Sequence, residues 1–197
     1  FISDEVQTGF GRTGGKMFGI EQYGVEPDMM TMAKGIANGI PCGAYITRPE
    51  IADSLQAPTI NTFGGNPLSS TAAIATIDYI IQNKLSENAQ EVGNYMKDKL
   101  KALQESSQIM GEVRGMGLML GVELVKDKKT KEPAPKETKL VVDTCRENGL
   151  VVGKGGLHGC TVRMQPPLII TKNDVDIAMK QFEKAIMTAE RQMGLSG

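Results

Sequence analysis

Two short apolar segments of this chain each end at a charged residue that is followed by a glycine-rich turn. Residues 29–33 lead to Lys34, and residues 1–3 lead to Asp4. Short apolar runs that end at turn residues are typical of buried strands. The pattern therefore predicts an α/β fold in which one strand ends at a lysine and another ends at an aspartate.

A lysine at the end of a buried strand is costly to keep charged, and its amine then becomes a usable nucleophile. An aspartate beside a pyridine ring stabilises the protonated ring nitrogen. These are the two protein groups that pyridoxal phosphate (PLP) chemistry requires. Lys34 is therefore a candidate catalytic and cofactor-binding residue, and Asp4 is a candidate partner of the ring nitrogen.

Three further residues are candidates for contacts with the same cofactor. Val6 shares a strand face with Asp4 and would lie against the ring, and Gln7 would donate to the phenolic oxygen of the ring. Thr62 precedes two glycines and a predicted helix start, where a hydroxyl, backbone N–H groups and the helix dipole suit a phosphate. The alternative role for Thr62 is a helix cap.

Arg163 is the candidate for binding the substrate. It lies near the end of a predicted strand, just before the two prolines at 166–167, so its mounting is stiff. Arginine binds carboxylates through two parallel hydrogen bonds, which makes a substrate carboxylate its natural partner. The alternative role for Arg163 is an ordinary ion pair.

The composition limits the classes of function. The 197 residues are 40% hydrophobic and 23% charged with a net charge of −1, so we expect a folded core and no affinity for nucleic acid or membrane surfaces. Three separated cysteines and one histidine offer little material for disulfides, a zinc site or a Ser-His-Asp triad. Glycines 9, 11 and 14 form a GxGxxG pattern, but this is weak support for nicotinamide binding.

The apolar periodicity predicts two α/β parts joined by a helix. We predict residues 1–82 as the C-terminal part of a large domain, residues 83–109 as an interdomain helix and linker, and residues 110–197 as a small C-terminal domain. The first residues resemble an inner strand whose sheet neighbours are not in the chain. We therefore expect the chain to be the C-terminal part of a longer protein.

The elements follow from the same patterns. Strands are predicted at 1–6, 29–33, 42–47, 150–153 and 161–164, with one or two more over 113–124. Helices are predicted near 50–55, from Pro67 onward, and over 86–105, 137–148 and 172–193. The helix after Pro67 is apolar on most sides and is expected to be well buried, and Asn173 is the expected N-cap of the last helix.

Together these segments resemble the class III (ω-amino acid) PLP-dependent aminotransferases. The matching segments follow the order of the family: 4–14, 27–28, 33–35, 61–67, 114–118 and 163–167. Within the family, residues 30–36, 61–67 and 91–96 are most similar to the alanine–glyoxylate aminotransferase 2 group. The resemblance implies PLP-dependent transferase fold type I, with a large domain on a seven-stranded sheet, a small C-terminal α/β domain, and a homodimer or higher oligomer.

The resemblance also implies a role for each candidate. Asp4 would pair with the ring nitrogen, Val6 would back the ring, Gln7 would contact the phenolic oxygen, and Lys34 would form the Schiff base with PLP. Thr62 would bind the phosphate of the partner subunit's cofactor, and the arginine before the two prolines would bind the substrate carboxylate.

The implied activity is transfer of an amino group from an amino acid, alanine, to an oxo acid, glyoxylate, in a mitochondrial or alternatively cytoplasmic enzyme. A 4-aminobutyrate, ornithine or acetylornithine aminotransferase and a phospho-lyase of the same fold are alternatives. From other classes, a nicotinamide oxidoreductase and a non-catalytic dimerising fragment stay open. Because the first half of the family's sequence is missing, we expect this chain alone to bind PLP poorly and to have little activity.

Overall fold

The computed structural model describes residues 1–195. The chain divides into two compact units, Phe1–Asn88 and Ala89–Gly197. Helices and strands occur in both units, as the sequence predicts. Within residues 1–195, no helix combines the length and apolarity that crossing a bilayer demands.

The first unit is built on a three-stranded sheet whose strands lie side by side in chain order. Its strands are β1 (Ile2–Asp4), β2 (Met29–Met32) and β3 (Ala44–Thr47). β1 and β2 are parallel, with Asp4 opposite Thr31, whereas β3 is antiparallel to β2. The carboxyl ends of β1 and β2 therefore lie at the same edge of the sheet. The resemblance implies seven strands in the large domain, and this unit contributes three.

β1 ends before the predicted limit at residue 6. Asp4 Oδ1 accepts a hydrogen bond from the Val6 backbone N–H at 3.1 Å, so the chain turns where the prediction continues the strand. The prediction that Val6 shares a strand face with Asp4 is therefore wrong, because Val6 lies in the turn. The loop after this turn leads to a 3₁₀ turn at Gly19–Tyr23, and a second 3₁₀ turn at Lys34–Ala37 follows β2.

Two helices complete the first unit, α1 (Pro49–Ala52) and α2 (Pro67–Gln82). Asn66 caps α2, since its side chain accepts the Ser69 backbone N–H at 3.0 Å, and Pro67 occupies the first turn as predicted. The prediction that α2 is well buried is wrong in this chain. Leu68 is 72% exposed, and Ile80 is the buried residue of the helix. The three strands and the loops of this unit cover only part of its apolar surface.

The second unit packs helices against a four-stranded antiparallel sheet, in which its first two strands are followed by its fourth and then its third. In chain order its elements are α3 (Leu85–Ser106, which starts in the first unit), β4 (Met110–Met116), β5 (Met119–Leu124), α4 (Pro135–Glu147), β6 (Gly153–Gly155), β7 (Thr161–Met164) and α5 (Lys172–Gln192).

The core of the second unit combines apolar residues from the sheet and from the inner faces of the long helices. Leu100 of α3, Val122 of β5 and Phe182 of α5 are fully buried in one cluster. Burying each such side chain contributes about 2 kcal/mol, so this cluster supplies much of the driving force for folding of the unit.

Among the boundaries in this unit that differ from prediction, two have a clear local cause. β6 begins at Gly153 rather than at residue 150, because the Leu150 N–H donates to the Cys145 carbonyl at 2.8 Å and so completes the end of α4. The N-cap of α5 is Thr171, not Asn173. Thr171 and Asp174 exchange side-chain and backbone hydrogen bonds in a capping box, which places Asn173 inside the first turn.

Helix α3 passes very close to the turn between β4 and β5. A Cβ atom added to Gly93 would lie 2.2 Å from the Gly117 carbonyl oxygen, so only glycine fits at this point of the helix. Lys97, one turn later, donates from Nζ to the Gly115 carbonyl at 2.8 Å. The turn itself needs glycine, because φ is +127° at Gly115 and +51° at Gly117.

Candidate active site

Asp4 lies exposed at the carboxyl end of β1, next to the end of β2. Its Oδ1 accepts the Val6 backbone N–H at 3.1 Å and the Thr31 hydroxyl at 3.3 Å. Both bonds fall on the same oxygen, which leaves Oδ2 as an acceptor for a ligand. In α/β sheets, ligands bind outside the carboxyl ends of parallel strands, and Asp4 is at such a position.

Lys34 follows the end of β2 at the same edge of the sheet. It is the first residue of the 3₁₀ turn, and its φ of +43° is in the left-handed region, which costs a non-glycine residue about 1 kcal/mol or more. Ile36 and Ala37, which are 7% and 1% exposed, anchor the turn. The expectation of a desolvated lysine is wrong for this chain, since the Lys34 side chain is exposed.

Gln7 and Val6 lie in the turn that follows Asp4, and Gln7 is exposed while Val6 is half-buried. The glycine-rich loop beyond them leads to the 3₁₀ turn at Gly19–Tyr23 rather than to an α-helix. A dinucleotide-binding GxGxxG pattern needs a strand, a tight turn and then a helix whose N-terminus faces the phosphates. The local structure therefore argues against the nicotinamide interpretation.

Thr62 is exposed in the loop that precedes α2. The alternative role as a helix cap is wrong, because Asn66 fills that role. The loop is held by Asn61, which accepts the Phe63 and Gly64 backbone N–H groups at 3.2 and 3.1 Å. The first turn of α2 is tied to the segment after Lys34, since the Ser69 hydroxyl donates to the Pro41 carbonyl at 2.9 Å.

Arg163 belongs to β7 in the second unit and is half-buried. One of its guanidinium nitrogens donates to Gln165 Oε1 at 3.1 Å. Its side chain packs across β6, where a Cβ atom at Gly155 would lie 2.7 Å from the Arg163 Cδ atom. It lines a cavity of about 550 Å³ whose other walls are mostly apolar and include Pro166 and Pro167. The strand and the two prolines provide the stiff mounting that the sequence predicts.

Three residues that shape these positions are not among the sequence candidates. Thr31 donates to Asp4, and Gly155 leaves room for the arginine side chain. Glu5 is 1% exposed although it follows the exposed Asp4. Strand pairing brings Thr31 into contact with Asp4 and Gly155 into contact with Arg163, and no local sequence pattern reveals that pairing. Glu5 itself is adjacent to Asp4 in the sequence, but the two backbone N–H groups that donate to it come from the distant turn at Gly19–Tyr23.

The comparisons with known proteins agree on one family. The model of the family "Aminotransferase class-III" matches residues 1–186. An alanine–glyoxylate aminotransferase 2 homologue of Arabidopsis thaliana, labelled mitochondrial, is 51% identical over 184 residues, which cover 93% of this chain and 38% of the relative. The mitochondrial alanine–glyoxylate aminotransferase 2 of Homo sapiens is 46% identical, over 94% of this chain and 37% of its own length.

Other relatives are named for other reactions. A leucine/methionine racemase of Thermococcus litoralis is 45% identical, over 95% of this chain and 42% of its own length. Among solved structures, a phospholyase from Arthrobacter in complex with phosphoethanolamine has a TM-score of 0.91 at 38% identity and covers 95% of this chain and 45% of its own.

The chain thus spans only about two-fifths of the length of the relatives that it matches. Its fold is that of PLP-dependent transferases of fold type I, and class III aminotransferases depend on PLP. The family model and the extent of the matches to its members show that this chain belongs to the class III aminotransferase family.

Proposed function

We propose that the chain is the C-terminal part of a PLP-dependent transaminase that moves an amino group from alanine to glyoxylate. The observation that carries the proposal is the parallel pairing of β1 and β2, which brings Asp4 and Lys34 to one edge of the sheet. The choice of alanine and glyoxylate rests on the names of relatives that are 46–51% identical to this chain.

The side chains at this sheet edge fit PLP, which supplies an aldehyde for covalent attachment and an electron-withdrawing ring. Asp4 would hold a proton on the ring nitrogen through Oδ2, and Val6 and Gln7 would contact the ring face and the phenolic oxygen. Lys34 would provide the amine for attachment and would move a proton at the α-carbon of the substrate. Thr62 would donate to the phosphate of the partner subunit's cofactor.

Arg163 would bind the carboxylate of the amino acid and of the oxo acid. Arg163 is carried by a strand, and its side chain packs beside Gly155, where a Cβ atom would lie 2.7 Å from the Arg163 Cδ atom. A carboxylate receives two parallel hydrogen bonds from a guanidinium, so this residue would orient every substrate of the reaction in the same way.

The relatives are longer, and we propose that residues of the full-length protein outside this chain complete the site and the homodimer or higher oligomer. Phe63 is 80% exposed, and Ile74 and Tyr79 of α2 are exposed as well. Large apolar side chains exposed in this number are the kind of surface that an interface covers. The labels of the relatives make a mitochondrial location part of the same proposal.

The chain alone is expected to bind PLP poorly, because the exposed Lys34 and Asp4 lack the residues that would close the site around the ring. The measurement is the absorbance of the purified chain with PLP, before and after dialysis, beside that of the full-length protein. A cofactor band that survives dialysis in the chain alone, and that Lys34→Ala removes, would contradict this expectation.

The substrate assignment is tested by half-reactions of the full-length protein with alanine, ornithine and 4-aminobutyrate, each followed by spectral conversion of bound PLP. We expect alanine to react fastest and glyoxylate to be the best acceptor. Phosphate release from phosphoethanolamine tests the phospholyase reaction, and loss of optical activity of leucine tests the racemase reaction. Faster conversion in any of these than with alanine would overturn the assignment.

A further inference from the structure

Glu5 is a buried carboxylate between two exposed residues that we assign to the cofactor, Asp4 and Gln7. It is 1% exposed, and it is the one charged side chain among the largest fully buried side chains of residues 1–195. A charge is costly to bury, so a carboxylate is found in such a place only where hydrogen bonds replace the lost water.

Four neutral donors surround this carboxylate. Oε1 accepts the Ile20 backbone N–H at 2.7 Å and the Ser3 hydroxyl at 3.1 Å. Oε2 accepts the Gly19 backbone N–H at 2.8 Å and the Thr8 hydroxyl at 2.5 Å. Burial alone would raise the pKa of Glu5, but these four hydrogen bonds outweigh it and hold the pKa below its usual value.

The arrangement needs a carboxylate and not merely a polar side chain. Each oxygen of Glu5 accepts one backbone N–H group, from Gly19 or from Ile20. A glutamine would have to turn its NH₂ group toward one of these N–H groups in either orientation, and a backbone N–H, unlike a hydroxyl, has no acceptor to offer. The hydrogen bonds around Glu5 therefore require a carboxylate, and a glutamine of nearly the same shape cannot satisfy them.

The backbone of Glu5 joins the same elements. Its N–H donates to the Thr31 carbonyl of β2 at 2.9 Å, and its carbonyl accepts the Gly9 N–H at 3.0 Å. Glu5 thus ties the end of β1 to β2, to the turn that carries Gln7, and to the 3₁₀ turn at Gly19–Tyr23. Gly19 packs closely against both threonine and carboxylate, because a Cβ atom there would lie 2.6 Å from the Thr8 Cβ atom and 3.3 Å from Glu5 Oε2.

From this geometry we infer that Glu5 is a positioning residue: its carboxylate fixes the turn on which Asp4 and Gln7 are mounted and so sets their direction toward the cofactor. The inference rests on the proposed function, since it assumes that Asp4 and Gln7 contact PLP. Glu5 itself would touch neither cofactor nor substrate.

The test uses variants of the full-length protein at Glu5 and at two threonines of the loop that follows it. Glu5→Gln removes one acceptor, and Thr8→Val removes one donor to Glu5 without changing the carboxylate. Thr13→Val is the matched control, because the Thr13 hydroxyl is buried without a hydrogen-bond partner in residues 1–195. For each variant, the PLP dissociation constant, the absorbance of bound PLP as a function of pH, and the unfolding midpoint of the PLP-free protein are measured.

We expect Glu5→Gln to raise the PLP dissociation constant about tenfold and Thr8→Val to raise it about threefold, while Thr13→Val stays within about twofold of wild type. The pH dependence of the absorbance should shift in Glu5→Gln. If Glu5 acts through Asp4, the double variant Asp4→Asn/Glu5→Gln should bind PLP more tightly than two independent effects would allow.

A purely structural role would lower the unfolding midpoint and leave the dissociation constant and the pH profile of the folded protein unchanged, which would overturn the inference. If Glu5→Gln does not fold, Thr8→Val decides: an unchanged PLP affinity in that variant overturns it equally. Failure of the proposed function would look different, because the wild-type protein would then show no PLP absorbance that Lys34→Ala removes.

Discussion

Replacing Lys34 with alanine in the full-length protein is expected to lower kcat by at least about a thousandfold. The proposed reaction needs an amine that both attaches the cofactor and moves a proton at the substrate carbon, and alanine supplies neither. The measurement is steady-state transamination of alanine and glyoxylate, together with the absorbance of bound PLP. The variant should also lose the part of that absorbance that depends on covalent attachment.

Lys84→Ala is the matched control for this experiment. Lys84 is also an exposed lysine with a left-handed backbone, at φ +50°, but it lies two residues beyond the end of α2 and follows no strand of the sheet. The control should keep wild-type turnover within about twofold, because surface substitutions of this kind change little. If the turnover of Lys34→Ala stayed within tenfold of that of wild type, the proposed covalent role of Lys34 would be contradicted.

Replacing Gly93 with alanine is expected to lower the free energy of unfolding by about 3 kcal/mol. In an open helix the same substitution stabilises by roughly 1 kcal/mol, because alanine is the better helix former. Here the new Cβ atom would lie 2.2 Å from the Gly117 carbonyl oxygen, and that backbone is fixed by the glycine-dependent turn between β4 and β5. The clash reverses the sign of the effect.

Urea unfolding of the full-length protein measures this change, with Asn94→Ala as the control. Asn94 is the next residue of α3, and it is exposed. Its replacement should change the free energy of unfolding by no more than about 0.5 kcal/mol. A stabilising effect of Gly93→Ala would show that α3 and the turn do not approach as closely as the structure indicates.

The sequence predicted the elements well where a local signal marks them. Pro67 marks the start of α2, Gly149 with its φ of +82° follows the end of α4 and its cap, and the strand predicted at 161–164 matches β7. The sequence-based boundaries are wrong where a side chain hydrogen-bonds to the backbone at the end of an element. The Asp4 carboxylate ends β1 early, and Thr171 takes the cap that Asn173 was expected to provide.

The candidate site was accessible to sequence reasoning only in part. Asp4 and Lys34 could be chosen because each follows an apolar run, and the resemblance supplied the roles of the others. The register that sets Asp4 opposite Thr31 depends on pairing between distant segments, which no local pattern specifies. Both backbone donors to Glu5 lie in the separate turn at Gly19–Tyr23, so its burial could not be predicted from the local sequence alone.

Apart from Glu5, the largest fully buried side chains of residues 1–195 all belong to the second unit. When this polypeptide is expressed without additional sequence, we therefore expect the second unit to fold readily. The first unit is expected to keep apolar surface exposed and to be prone to aggregation. The yield of soluble polypeptide should then depend on chaperones and on protein concentration, whether or not the polypeptide is catalytically active.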